Sequence, residues 1–320
     1  MNEYKKLSDK ISQIVIRDAK EKEAILWTNI VNAESPEIEF LQKDYNFNLE
    51  HLESSTASVF SQRPTIAQEK KYFFIILHFP ILVNDQIVAG EIEFFIGHGY
   101  LITIHNNNVP ALIDFFSACC DDGKYLGENN IKSSIILLYE LLNRLINDCY
   151  KLIDSTSIKI EEVEDLIFSK QSKAATNLIL NLRRNIINLR KILQNHKHIL
   201  GKLTEVKSSL ITQSEIKDHY NNLVDHSNRI WSMLENQKEM IEALNNTNQS
   251  LLDNEMNKVM KTLTIFSVII FPLTLLVTMF SMSIPGIPFS HNPHGFWIVS
   301  LIVGCLGFIM LLFFLKKRWL

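Results

Sequence analysis

The run Asn257-Lys-Val-Met-Lys-Thr-Leu-Thr-Ile-Phe-Ser-Val-Ile-Ile-Phe-Pro-Leu-Thr-Leu-Leu-Val-Thr-Met-Phe-Ser-Met-Ser283 decides how the rest of this chain is read. From Thr264 to Ser283 it holds no charge. At about 1.5 Å per residue, a helix of that length matches a hydrocarbon core of about 30 Å. Its hydrophilic members keep step. Asn257, Met260, Thr264, Ser267, Phe271, Thr274, Thr278 and Ser281 are separated by alternating intervals of 3 and 4, which places them on one face of a helix. The opposite face carries Ile265, Val268, Ile269 and Leu276, suited to lipid or to a neighbouring span.

A second uncharged run, Phe296 to Leu315, follows. Between the two lie residues 284–295, with three prolines and no Lys or Arg. Lys258 and Lys261 flank the pair on one side, and Lys316, Lys317 and Arg318 on the other. The positive-inside rule then puts both termini in the cytoplasm and the short loop outside. Trp297 and Trp319 bracket the second span where interfacial aromatics belong. The expected location is the cell membrane, multi-pass, with the lipid bilayer as a partner.

Charge agrees. No Asp or Glu follows Glu255, so residues 257–320 carry +5 against −8 for the residues before them, within an overall −3. An acidic body ahead of a nearly charge-free basic tail argues for a membrane and against nucleic acid. Gly 10 and Pro 8 in 320 residues are too few for an all-β sandwich, which needs a turn every ten residues or so. The four cysteines form no CxxC, so neither a disulfide framework nor a zinc site is indicated.

The fold class expected is α+β, in three parts. Residues 1–125 read as a cytoplasmic α/β domain. Strands are expected at Ala24–Val31, Lys71–Pro80, Ile87–Gly97 and Tyr100–His105, and a short helix at Pro110–Cys120. Residues 126–256 read as long helices. The first opens near Ser133, with apolar residues every three or four positions; the second covers Ala174–Leu210. The third starts at a capping box, Thr212-Gln-Ser-Glu215, and meets no Pro or Gly before Pro272. Leu223, Ile230, Leu234, Met240 or Ile241, Leu244, Leu251, Met256, Val259 and Leu263 mark its near-heptad apolar stripe. Amides such as Asn236, Gln237, Asn246 and Asn248 give it a polar side. That side is either a solvated face or the wall of a wet lumen. Residues 257–320 form the membrane part, with spans 264–283 and 296–315 and an outer loop 284–295. No Gly-rich phosphate loop, GxSxG or HExxH occurs. An enzyme is therefore not expected, and no cofactor is implied.

The stripe in the first span has two readings. Small hydroxyls allow helices to pack closely in membranes. They can also line a pore. Two spans alone cannot enclose a hydrophilic path, so a pore needs an oligomer with one helix per subunit at its centre. A wall of hydroxyls and amides without carboxylates binds cations weakly and suits a hydrated divalent ion, because Mg²⁺ gives up water reluctantly. Phe271 and Met260 would form apolar constrictions in it.

Several stretches resemble CorA-type magnesium transporters: Asn257-Lys-Val-Met-Lys-Thr-Leu-Thr-Ile, Phe271-Pro-Leu-Thr-Leu275 and Phe280-Ser-Met-Ser283 resemble the pore helix, and Leu315-Lys-Lys-Arg-Trp-Leu320 the C-terminus. Arg63-Pro-Thr-Ile, Leu77-His-Phe-Pro80, Leu101-Ile-Thr-Ile-His105 and Leu137-Leu-Tyr-Glu-Leu-Leu142 are similar to its cytoplasmic part. The resemblance implies a funnel-shaped homopentamer, with the long helix lining the pore and the second span in an outer ring. It implies transport of Mg²⁺, with Co²⁺ or Ni²⁺ also carried and one branch moving Zn²⁺. Pore positions carried over are Asn257, Met260, Phe271, Thr274 and Ser283. Departures from the family pattern are local. Ser281-Met282-Ser283 stands where the family has Gly-Met-Asn. Tyr220-Asn221-Asn222 stands where the family has Tyr-Phe-x-Asp, so Asn222 marks a lost regulatory position. The outer loop offers His291 and His294, a possible metal contact since imidazole suits zinc. The expected function is divalent cation transport, Mg²⁺ first. The alternatives are a Zn²⁺ transporter of the same family and a non-conducting membrane scaffold or sensor.

Overall fold

The computed structural model describes residues 3–17, 24–56, 63–106, 108–121, 131–205, 213–282 and 294–317. It divides into two compact units, Met1–Leu244 and Asn245–Leu320. The capping box at 212–215, the outer loop 284–293 with His291, Ser283, and the terminal Arg318 and Trp319 fall wholly or partly outside the described residues.

The first unit is built on a seven-stranded sheet in the order β1-β2-β3-β7-β6-β5-β4. The strands are β1 (Glu3–Lys6), β2 (Ile11–Arg17), β3 (Ala24–Val31), β4 (Thr65–Gln68), β5 (Tyr72–Val83), β6 (Gln86–Gly97) and β7 (Tyr100–His105). Two antiparallel meanders, β1-β2-β3 and β4-β5-β6-β7, join through a single parallel pair, β3 with β7. Strands β3 and β7 match their expected bounds, and β5 and β6 run slightly longer. β1, β2 and β4 have no counterpart among the expected strands. β1 is exposed throughout, and β2 alternates polar with apolar too briefly to stand out.

The sheet is buried on both faces, as its apolar runs require. Alternate side chains divide between two cores. Trp27, Ile75, Leu77, Phe94, Ile96 and Leu101 face one, whereas Phe74, Ile76, Phe95, Ile102 and Ile104 face the other. The second core is covered by two short helices, α1 (Ser35–Tyr45) and α2 (Leu49–Ser54), with Phe47 between them. The first is covered by α3 (Pro110–Asp121), α4 (Ser134–Phe168), α5 (Ser172–Leu193) and α6 (His196–Leu203). At the parallel junction a buried polar chain holds register. Trp27 Nε1 donates to Thr103 Oγ1 at 3.1 Å, Thr103 Oγ1 donates to Asn29 Oδ1 at 2.7 Å, and His105 Nε2 lies 3.1 Å from the same oxygen.

The β5–β6 hairpin turns on Asn84 and Asp85, both at positive φ (50° and 60°), the requirement of a two-residue type I′ turn. Asn185 of α5 clamps it. Its Oδ1 accepts from Ile87 N at 3.1 Å and its Nδ2 donates to the Asp85 carbonyl at 2.9 Å. The expected single helix over Ala174–Leu210 is broken at Gln194 and Asn195, and residues 206–212 lie outside the described set. Just past the break, buried His196 donates Nε2–H to the His78 carbonyl at 2.7 Å, which fixes where the chain re-enters helix. Burial pushes that imidazole down to about 4.

Helix α7 (Gln213–Phe280) is 68 residues long, about 100 Å at 1.5 Å per residue. Up to Leu244 it packs on α4 and α5. Tyr220, Leu223, Ile230, Leu234 and Ile241 are buried at near-heptad spacing, with Ser227 and Gln237 in the same row. Met240 is exposed, which decides the Met240/Ile241 alternative for Ile241. Gln237 and Asn248 are buried, contrary to the expected wet side. Gln237 Nε2 is engaged by the Ile153 carbonyl at 2.7 Å and Ser157 Oγ at 2.8 Å. Farther along, Met256, Val259 and Leu263 leave the buried row and are exposed. Helix α8 (Gly295–Lys316) completes the second unit.

Replacing Asn185 by Ala should strip the buried Ile87 N–H of its partner and destabilise the chain by about 2 kcal/mol. Urea unfolding of the detergent-solubilised protein reads this, and a change below about 0.5 kcal/mol would contradict the clamp. Glu93, buried on β6, gives a pH dependence. Desolvation pushes its carboxyl from 4.5 up to about 8, Ser55 hydrogen bonding opposes the rise and Glu91 adds to it. The folded chain thus keeps a proton that the unfolded chain releases, so stability falls as pH rises from about 4.5 to about 8. Glu93→Gln should flatten that fall in a thermal-unfolding series across pH; a slope equal to wild type would refute it.

Candidate functional site

Within the Asn245–Leu320 unit, α7 has two unlike faces. Ile265 is buried, and Ile269, Pro272, Leu273, Leu276 and Phe280 are half-buried. This row packs on α8, where Gly307 admits Leu273 so closely that a Cβ would stand 3.3 Å from Leu273 Cδ1. The expected polar stripe lies about 180° around the helix from this row. Asn257, Met260, Thr264, Phe271, Thr274, Thr278 and Ser281 are exposed, and Ser267 is half-buried. Phe271 is 73% exposed, more than any other large apolar side chain on α7. Val268, expected among the lipid-facing residues, is exposed on the flank.

The hydroxyls carry a regularity that sequence reading missed. Thr264 Oγ1 donates to the Met260 carbonyl at 2.8 Å, Ser267 Oγ to Leu263 at 2.9 Å, Thr274 Oγ1 to Ile270 at 2.8 Å, and Thr278 Oγ1 to Leu275 at 2.8 Å. Each hydrogen is spent on the helix's own backbone, one turn back. The oxygen lone pairs are what remains for a ligand, and they only accept. These four hydroxyls are therefore neutral acceptors, and no carboxylate stands among the stripe's residues, a chemistry suited to cations and to the hydrogens of ion-bound water. The signal was available in the Ser/Thr spacing, since such residues in helices back-bond to the i−3 or i−4 carbonyl.

The helix ends at Phe280, three residues short of the expected end of the span. Ser281 N is still within one turn of the Val277 carbonyl at 3.0 Å, and Met282 N of Met279 at 3.3 Å. Both side chains are exposed, while Ser283, the third member of the expected outer ring, lies outside the described residues. His294 is exposed just before α8, where its carbonyl accepts from Ile298 N at 3.2 Å. Its expected companion His291 is outside the described residues. Among the described residues no group of three or more His, Cys, Asp or Glu could hold a metal. Asn222 lies in the other unit, on an exposed face of α7, with its amide 3.5 Å from the Tyr139 hydroxyl. Two residues earlier, Tyr220 is buried and donates to the Ile135 carbonyl at 2.9 Å.

Both α7 and α8 contain segments long and apolar enough to cross a membrane. Comparison with known proteins bears on the same features. The chain is 28% identical over 189 residues to the cobalt/magnesium transport protein CorA of Thermotoga maritima, covering 59% of this chain and 54% of that protein. It is 22% identical over 313 residues to the cobalt/magnesium transport protein CorA of Methanocaldococcus jannaschii, covering 97% and 95%. The complete structure of the CorA magnesium transporter from Methanocaldococcus jannaschii matches the fold with a TM-score of 0.83 at 20% identity, over 97% of this chain and 96% of that one. A family model described as CorA-like Mg2+ transporter protein matches residues 22–318. On that match, which takes in the sheet, the long helices and both apolar helices, this chain belongs to the CorA-like Mg²⁺ transporter family.

Proposed function

We propose that this protein carries divalent metal cations, Mg²⁺ first and Co²⁺ or Ni²⁺ with it, through the central pore of a homopentamer in the cell membrane. The observation that carries this reading is the exposed row of hydroxyl acceptors on α7, opposite the face that packs on α8. Five such helices around an axis give stacked rings at Asn257, Met260, Thr264, Ser267, Phe271, Thr274 and Thr278. Ser281, Met282 and Ser283 form the outer mouth. Neutral acceptors bind water-bound protons of a hydrated ion without stripping its shell, and weak multi-site binding lets the ion move on. Both termini lie in the cytoplasm, beside Lys258 and Lys261 and the basic run at 316–318. A negative-inside potential drives entry by about 4.6 kcal/mol per divalent ion at 100 mV. No cofactor and no covalent step are then needed.

Proteoliposomes containing the purified protein should take up Mg²⁺ under an inside-negative potential. Absence of flux would sink transport and leave the membrane-scaffold reading. Phe271 sets the narrowest apolar ring in this arrangement, so Phe271→Ala should raise flux by roughly tenfold, a barrier lowered by about 1.4 kcal/mol. Unchanged flux in a conducting protein would move the gate to Met260.

The outer mouth makes a separate prediction. A hydroxyl is shorter than an Asn side chain, so a Ser281-Met282-Ser283 ring is wider and grips the hydration shell less firmly. Mg²⁺, Co²⁺ and Ni²⁺ should compete at similar concentrations, and Ser281→Gly with Ser283→Asn should sharpen the preference for Mg²⁺. Competition flux assays on both forms decide this; sharp Mg²⁺ discrimination in wild type that the double change destroys would reverse the assignment.

A further inference from the structure

A cavity of about 870 Å³ opens within the Met1–Leu244 unit, between β4, the β5–β6 hairpin, and α5 with α6. Its charge is one-sided. Arg63 ahead of β4, Lys191 on the last turn of α5, and His198 and Lys202 on α6 line it. His198 and Lys202 are four apart and so share a helix face, as do Asn188 and Lys191, three apart. None of the described lining residues is Asp or Glu. Glu91 is nearby in the sheet, but it is engaged 2.8 Å from Nε2 of His78. Among the described residues Arg63, Lys191 and Lys202 have no ion-pair partner.

The floor is apolar. Ile87, Ile192 and Ile199 are buried there, and Ile66 is half-buried at one edge. Gln194 and Asn195 supply amides at the break between α5 and α6, and the Asn195 side chain does not cap α6. Cations at a rim, an apolar floor and nearby amides form the combination that takes an anionic group, a flat ring and the ring's polar edge. The volume exceeds what a bare phosphate fills.

We propose that this cavity binds a nucleoside polyphosphate, with its phosphates on Arg63, Lys191 and Lys202 and its base on the isoleucine floor. The proposal stands apart from the transport reading and needs only the first unit's geometry. No Gly-rich backbone cradle lines the cavity among the described residues, so binding rests on side-chain charge and weakens as salt rises.

Isothermal titration of the full-length protein in detergent, with metal-free ATP and with inorganic pyrophosphate, tests it. ATP should bind saturably, about tenfold tighter than pyrophosphate because only ATP covers the floor. Lys191→Gln with Lys202→Gln should weaken ATP binding by about a hundredfold, since each change removes one charge-assisted hydrogen bond to phosphate. Both lysines are exposed, so the fold tolerates the change. Lys217→Gln, an exposed lysine on α7 outside the cavity, should leave binding as it is. Three results would overturn the proposal: no saturable heat with ATP, equal binding in the double variant, or pyrophosphate matching ATP.

Discussion

A hydroxyl hydrogen in a helix that crosses a membrane needs an acceptor, and in the first span it finds the carbonyl one turn back on its own helix. The four bonds from Thr264, Ser267, Thr274 and Thr278 meet that constraint without help from another chain. They also settle the polarity of the face. A hydroxyl with its hydrogen committed behaves as an acceptor, and a row of them favours positive charge. A carboxylate would do so more strongly, and would cost more to place in a membrane span.

The same helix answers a different constraint before Leu244. There it is packed against α4 and α5, and its buried row follows near-heptad spacing even where the residue is polar. Gln237 shows how such a position is tolerated. Its amide meets the Ile153 carbonyl and the Ser157 hydroxyl, so one of its two polar atoms is satisfied in the core. Arg190 adds a tie to this stretch from α5, with one guanidinium nitrogen 2.7 Å from Glu235 and its plane over Trp231 at 5.0 Å. Beyond residue 251 the apolar stripe persists in sequence while its burial within one chain ends. Met256, Val259 and Leu263 are large, apolar and exposed, the state expected of residues that subunits or lipid cover.

The sheet of the first unit positions the helices by dividing its side chains strictly between two faces. Trp27 and Thr103 illustrate the division, since the ring joins the larger core with Phe115 and Phe116 while its Nε1–H is satisfied by the hydroxyl. Register in the β5–β6 hairpin is set by Asn84 and Asp85 and locked by Asn185 from about a hundred residues away. That clamp and the His196 bond to the His78 carbonyl fix α5 and α6 over the edge of the sheet, which creates the basic cavity.

Much of this was legible in the residues. Uncharged runs and the alternation of 3 and 4 from Asn257 to Ser281 report two apolar spans and a polar face, because hydropathy and helix period act locally and repeat. Strands β3 and β7 were legible for the same reason, as concentrated β-branched and apolar runs. Other features depend on partners far away in the chain. The break at Gln194 and Asn195 follows from His196 reaching His78; the burial of Gln237 follows from the α4 groups that meet its amide; and Arg63, Lys191, His198 and Lys202 meet only when the sheet edge and two helices converge. The direction of each hydroxyl hydrogen is likewise a matter of three-dimensional backbone geometry. Sequence alone determined which stretches enter a membrane and which face of the first is polar, since these are sums over neighbouring residues. Only the tertiary structure decided which polar groups are spent on the protein and which are left to meet a ligand, because that depends on distances between residues that composition does not contain.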